Sequence, residues 1–393
     1  MTGREADFKT LSEVGSIGRG KSKHRPRNDP RLYGGQHPFV QTSDVKHAGL
    51  HLANYSQTYS ELGLAQSKLW PAETLCITIA ANIGDTAILG IPACFPDSIL
   101  GFVADPDASD VRYVKYCLDG FKEQIQLISR GTTQDNLSLD KLLKLRFWFP
   151  NVQVQEQIAA ILSAYDDLIA NNQRRIALLE SVAEEIYREW FVRMRFPHWG
   201  STSFVKGVPA DWKRVRLGDV VELGYGKALK DEERSPGDFP VFGSAGVVGR
   251  HNTFLCPGPG IIVGRKGNVG SVHWSDAPFF PIDTTYFVKS DLGMYFVYFL
   301  LQSMNFINND SAVPGLSRAQ AYSNEFYLPG GELVRAFNDM AQPIFTMKSL
   351  LHSQVEGLAA QRDALLPRLI SGKLKVDHLD IQLPPSMREK VTA

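Results

Sequence analysis

The chain lacks most of what announces chemistry. Its four cysteines, Cys76, Cys94, Cys117 and Cys256, lie far apart and form no C-x-x-C pair. That argues against a zinc cluster or a disulfide framework and leaves them as small core residues. No apolar run approaches the roughly 20 residues a spanning helix needs, and the nearest, Met294 to Leu301, is too short. Arg4, Glu5, Asp7 and Lys9 break up the amino terminus, so no signal-peptide core is expected and a cytoplasmic location is anticipated. Net charge is absent too: 42 basic residues balance 42 acidic ones. Overall charge therefore says nothing about nucleic acid, and local patches must decide.

Catalytic patterns are equally scarce. The nine histidines are scattered, with no i, i+4 pair on a helix to hold a metal. The [DN]-P-P-[YF] motif of adenine methyltransferases is missing, and Asn28 to Arg31 (NDPR) lacks its second proline and aromatic residue. Pro96-Asp97 could open a nuclease motif, but no acidic-x-lysine triplet follows through Asp167. The sequence reads as a binder without catalytic residues of its own.

What is present is an ordinary globular composition, 44% apolar and 21% charged, over 393 residues. That is enough chain for two or three domains, each with its own core. The segment Gly15 to Ser22, GSIGRGKS, fits G-x-x-x-x-G-K-[ST] at every fixed position. A P-loop works only between a buried strand and the start of a helix. Upstream, Phe8 to Val14 alternates apolar and polar residues like a half-exposed strand; downstream, KHRPRNDPRLYGG forbids an immediate helix. The match is read as coincidence, with a P-loop nucleotide hydrolase kept as the remote alternative.

An internal repeat supports that reading. Leu11-Ser12-Glu13-Val14 and the glycine-rich stretch after it recur as Leu217-Gly218-Asp219-Val220 and its own, at an offset of 206. Asn82-Ile83-Gly84 and Asp97 recur as Asn268-Val269-Gly270 and Asp283 at an offset of 186; Leu137-Ser138 and Pro150 recur as Leu316-Ser317 and Pro329 at 179. Order is kept while the offset shrinks, as expected of two copies of one domain that differ by loop deletions. In the second copy Val221 and Ala228 replace Gly15 and Ser22, so the P-loop pattern is gone. What the copies share is read as a strand followed by a glycine turn carrying a lysine.

A long helical pattern follows each copy. In the first, Leu162, Tyr165, Ile169, Asn172, Ile176, Leu179, Ala183, Ile186 and Trp190 recur at spacings of three and four. In the second, Phe337, Met340, Ile344, Met347, Leu351, Gln354, Leu358, Gln361 and Leu365 do the same. Two heptad seams of about 40 residues, roughly 60 Å each, predict an antiparallel coiled coil. Pro343 should kink the second helix and Gly357 weaken it. The expected architecture is α/β or α+β with a pseudo-twofold repeat. Residues 1–151 and 197–330 are the globular domains, 152–196 and 331–376 the spacer helices, and 377–393 a loose tail. Met340, Met347 and the Tyr187-Trp190-Phe191 cluster are either core or partner-facing surface.

Local charge points to phosphate. Arg19, Lys21, Lys23, Arg25, Arg27 and Arg31 set six cations against Asp29 on a turn-rich loop. The second copy offers Lys227, Lys230, Arg250, Arg265 and Lys266, interrupted by Asp231, Glu232 and Glu233. Such loops suit backbone contacts to DNA, with Arg318 a further candidate DNA-binding residue, while Tyr225, His251, Ser317 and Gln320 stand near them as candidate base readers.

With repeat, helices and the closing QRDALLPRLISGKL in view, the chain resembles the specificity subunit of type I restriction-modification systems. The stretches that carry the resemblance include VPADWKRVRLGDVVELGYGK, FPVFGSAGVVGRHN, GIIVGRKGNVGSVHW, VPGLS and QEQIAAILSAYDDLIANNQRRIALLE. The resemblance implies two target-recognition domains, each reading half of a bipartite double-stranded DNA target. It implies helices that fix the spacing and dock two methyltransferase subunits, and motor-nuclease subunits in the full complex. No cofactor is expected on this chain; S-adenosylmethionine, ATP and magnesium belong to those partners. The first copy departs from the pattern: PADW has no full counterpart, and Ile79 and Ala80 stand where Arg265 and Lys266 do. A defence scaffold of the same fold that takes a single methyltransferase is the other alternative.

Overall fold

The computed structural model describes residues 8–129, 137–306, 315–384 and Met387. Arg4, Glu5 and Asp7, the partial PADW counterpart at Ala6-Asp7, and Val313-Pro314 of VPGLS lie outside these. The chain divides into two compact units, Met1–Gln173 with Ser353–Ala393, and Arg174–His352. Each unit takes one half of each long helix.

In the first unit, a five-stranded sheet runs in the order Gly15–Arg19, Ile99–Ala104, Leu75–Thr78, Thr86–Leu89, His51–Leu52. Leu75–Thr78 and Thr86–Leu89 are buried at every position. They are continuous apolar runs because both faces are covered. A second sheet runs Gln57–Tyr59, Tyr33–Phe39, Ala93–Cys94, Leu69–Trp70. The helix Val111–Gly120 starts where the Asp110 side chain accepts from the Tyr113 amide, and it buries Tyr113, Val114, Cys117 and Leu118.

The second unit repeats this plan. Glu222–Tyr225, Thr285–Lys289, Gly260–Gly264 and Val272–Ser275 form a four-stranded sheet in that order, and Gly246–His251, Phe239–Gly243 and Phe280–Pro281 a three-stranded one. Its helix Met294–Ser303 buries Phe296 to Leu301. The equivalence extends to single hydrogen bonds. Lys21 N donates to Phe95 O and Lys227 N to Pro281 O; Gly84 N donates to Thr78 O and Gly270 N to Gly264 O; Leu137 N donates to Ile79 O and Leu316 N to Arg265 O. These partners follow the offsets read from the sequence.

The alternating segment Phe8 to Val14 is not the strand it promised. It holds a two-residue strand, Phe8–Lys9, and a 3-10 turn, Leu11–Glu13, while the strand proper is Gly15–Arg19. The Thr10 amide donates to the Glu13 carboxylate at 2.7 Å, and the Arg216 amide to Asp219 at 2.9 Å in the second copy. A capping box closes this turn in each copy. So the shared unit is a capped turn, then a strand, then the glycine. Because Gly15–Arg19 is itself a strand paired with Ile99–Ala104, no phosphate-binding loop exists there and the nucleotide-hydrolase alternative is overturned.

The first long helix spans Val152–Tyr187 and continues as a π turn, Arg188–Val192; the second spans Gly331–Ile370 without interruption at Pro343 or Gly357. All nine positions of the first seam are buried or half-buried. In the second, Phe337 and Leu351 are buried, Met340, Ile344, Leu358 and Leu365 half-buried, but Gln354 and Gln361 are exposed and Met347 is 40% exposed. Ala341, Phe345 and Lys348, each one residue further on, are the buried ones, Lys348 at 4%. A helix of 3.6 residues per turn drifts against a strict 3.5 repeat, and the larger Phe345 ring takes the inward place. The stem of Lys348 then lies buried, with its ammonium 3.1 Å from Glu180. Tyr187 is core, ringed by Phe191, Phe296, Phe299 and Phe337, and Trp190 and Phe191 pack on the same cluster.

The tail is not loose where it begins. Val376 is buried, and Ile381 and Met387 pack on the first unit's core. Among the described residues no helix is long and apolar enough to cross a membrane.

Candidate nucleic-acid interface

In both units the candidate cations hang from a strand end fixed by a glycine. A Cβ on Gly20 would lie 2.3 Å from the carbonyl oxygens of Phe95 and Pro96, and one on Gly226 2.1 Å from that of Ile282. Only glycine lets the chain cross the neighbouring backbone there. The next residue, Lys21 or Lys227, is then locked by the hydrogen bond its backbone N–H donates to the carbonyl of Phe95 or Pro281, and leaves its side chain exposed.

The first unit's loop is built from the inside. Lys23 N and His24 N both donate to Gln66 Oε1, at 2.5 and 3.0 Å, and Ser67 Oγ donates to Lys21 O at 2.8 Å. Arg27 Nη2 bonds both oxygens of Asp97 at 2.9 Å. Arg31 pairs with Asp29 at 2.7 Å, and His24 reaches the same carboxylate at 2.9 Å. Hydrogen bonds from Arg31, helped by His24, hold the Asp29 carboxyl well below the ordinary carboxylate range. Arg25 turns onto the carbonyls of Ser22 and His24.

The six-cation patch therefore shrinks. Arg27 and Arg31 are neutralised and Arg25 is satisfied by backbone, leaving Arg19, Lys21 and Lys23 exposed with no ion pair among the described residues. Sequence counting missed this because Asp97 lies 70 positions from Arg27. Gln66, which organises the loop, carried no signal.

In the second unit the structure gathers Tyr225, Arg265 and Arg318, three residues from three segments. Arg318 Cζ lies 4.4 Å and Arg265 Cζ 5.1 Å from the Tyr225 ring centre, and the Tyr286 ring lies tilted against Tyr225 at 5.2 Å. Burial, reinforced by Tyr225, raises the Tyr286 hydroxyl, which donates to Leu316 O at 2.8 Å. Lys227, Lys230 and Lys266 are exposed nearby in sequence. Arg250 Nη1 donates to Asp238 O, and Arg234 takes Asp231.

Three candidate base readers are committed elsewhere. Ser317 Oγ bonds Gln320 Oε1 at 2.9 Å and also caps the Gln320 amide, so the pair closes a helix start. His251 Nδ1 accepts from Ser235 N at 3.0 Å. Among the described residues no group of three His, Cys, Asp or Glu side chains is placed to hold a metal.

Comparison with known proteins agrees with this layout. The family described as "Type I restriction modification DNA specificity domain" matches residues 4–181 and 209–332, one stretch in each copy. The MjaIX specificity subunit of Methanocaldococcus jannaschii is 24% identical, over 96% of this chain and 95% of that one. The EcoprrI specificity subunit of Escherichia coli is 20% identical, over 84% and 86% respectively. The crystal structure of an S subunit from M. genitalium superimposes with a TM-score of 0.57 at 18% identity, covering 92% of this chain and 95% of that one. At that identity the likeness speaks for the fold.

Proposed function

Because the chain belongs to the family of type I restriction-modification specificity subunits, we propose that its two repeated domains, residues 1–151 and 197–330, each read one half of a bipartite DNA target. The observation that carries this is the doubled site. Each copy ends a strand at a backbone-locked glycine, follows it with an exposed lysine, and carries cations that make no ion pair among the described residues. Such groups suit phosphodiester contacts, which set affinity and register on the duplex. Two recognition modules on one chain address half-sites at a fixed separation.

On this reading the chain supplies specificity and others supply chemistry. Methyltransferase subunits docked on the long helices bring S-adenosylmethionine, and restriction subunits bring ATP and magnesium. Arg19, Lys21 and Lys23 in the first copy, and Lys227, Lys230, Lys266 and the Tyr225 cluster in the second, are the DNA-facing groups. Arg25, Arg27 and Arg31 shape the loop that presents them.

The test is to express the chain with its methyltransferase subunit in a host free of adenine methylation and map modified adenines across the genome. A bipartite motif of fixed gap should emerge, and exchanging either globular domain should change only the corresponding half. A stable complex that leaves no methylated motif would defeat the reading.

A further inference from the structure

The second unit places two cations on one ring with no carboxylate paired to them among the described residues. Tyr225 is 46% exposed, and both Arg265 and Arg318 lie against it. Arg265 Nη1 donates to Asp283 O at 3.1 Å and its guanidinium also bonds the Tyr286 hydroxyl, while Arg318 Nη1 donates to Leu223 O at 3.5 Å. Neither makes an ion pair with a carboxylate among the described residues. The Asp283 carboxylate makes none either, whereas its counterpart Asp97 is taken by Arg27.

Each guanidinium carries five donors and uses one on a carbonyl, Arg265 a further one on Tyr286, so most of both forks stays open. Stacking on tyrosine fixes their planes and offsets part of the mutual repulsion. A neutral base edge would leave the rest of that repulsion in place. A phosphodiester oxygen pair, carrying charge and matching the fork geometry, would remove it.

We propose that Tyr225, Arg265 and Arg318 form a preorganised clamp for one DNA phosphodiester in the second half-site. The inference rests on the DNA-reading function above and adds an asymmetry to it. By the repeat offsets, the first copy carries Arg19, Ile79 and Leu139 at these positions, so no clamp exists there. The first half-site is held by separate exposed cations, the second by a built subsite.

The test uses the assembled complex of this chain with its methyltransferase subunits, titrated with its mapped target duplex and with a scrambled duplex across a salt series. Arg318→Ala should weaken both duplexes alike, about tenfold near 0.1 M salt, and flatten the slope of log K against log salt by about one. Arg318→Lys should restore the slope but only part of the affinity, since lysine cannot stack and fork. Tyr225→Leu should lower affinity with the slope retained, because both charges remain. A purely structural role would lower the melting temperature and leave the slope of the folded complex unchanged, and that would overturn the clamp. A shift in the methylated half-site sequence on Arg318→Ala would overturn it too, by making Arg318 a base reader. A wild-type complex that failed to prefer its target over the scrambled duplex would refute the DNA-reading assignment separately, and the slope on scrambled DNA would still decide the clamp.

Discussion

Asp166 on the first long helix and Arg362 on the second meet at 2.5 Å, and the other oxygen of Asp166 accepts from the Tyr116 hydroxyl at 2.6 Å. Three elements of the first unit, the two long helices and Val111–Gly120, thus share one carboxylate. The side chain of Asp166 is 12% exposed and that of Arg362 28%, so the contact lies between a surface pair and a buried one.

Removing one partner strands the others. Asp166→Ala is expected to cost about 2 kcal/mol, less than a fully buried pair because Arg362 keeps some solvent and its contact with Asp363. Thermal melting should show it. The double change Asp166→Leu with Arg362→Met should recover most of the loss; an unshifted midpoint in Asp166→Ala would show the pair to be idle.

The two strand-end glycines should fail alike. Alanine at Gly20 or Gly226 drives a methyl against backbone carbonyls that cannot rotate away. Each change should destabilise its unit by about 2 kcal/mol or more. Gly357→Ala, where an added methyl meets nothing within 4 Å, should instead be neutral or stabilising through helix propensity. Equal melting curves for all three variants would contradict the geometry.

Acid should weaken the first unit through His51. Burial, with Arg112 nearby, lowers its pKa from 6.5 to about 4. The unfolded chain binds the proton at higher pH than the folded one, so stability is full above about pH 6.5 and is lost as pH falls towards 4, by up to about 3 kcal/mol. Glu73 and Asp110, raised by burial, tilt the curve the other way. The readout is therefore the difference between wild type and His51→Gln, which should grow between pH 7 and 4.5; a flat difference would remove His51 from the account.

Lys21 and Arg27 should separate in DNA-binding assays although they sit on one loop. Lys21→Ala should reduce the salt slope by about one on any duplex and change no sequence preference. Arg27→Ala leaves Asp97 unpaired and the loop untied. It should raise protease sensitivity of residues 21–32 and weaken binding with little change in slope. The reverse assignment would show Arg27 to be the phosphate contact.

The sequence alone determined the plan of this protein. Repeats at slowly shrinking offsets carry their order into space, and hydrogen bonds such as Lys21 to Phe95 and Lys227 to Pro281 follow those offsets in the structure. Heptad spacing likewise reported the first helix seam, because burial along a helix follows local period. Local rules failed where the decision was not local. Phe345 and Lys348 displaced Met347 from the second seam. Only tertiary structure decided which charges remain free to meet a ligand. Arg27 is cancelled by an aspartate 70 residues away, while Arg265 and Arg318, 53 positions apart, converge on Tyr225 with no ion pair to an acid among the described residues. Charge is written in the sequence, but whether it is neutralised depends on distances of a few ångströms that only the fold sets.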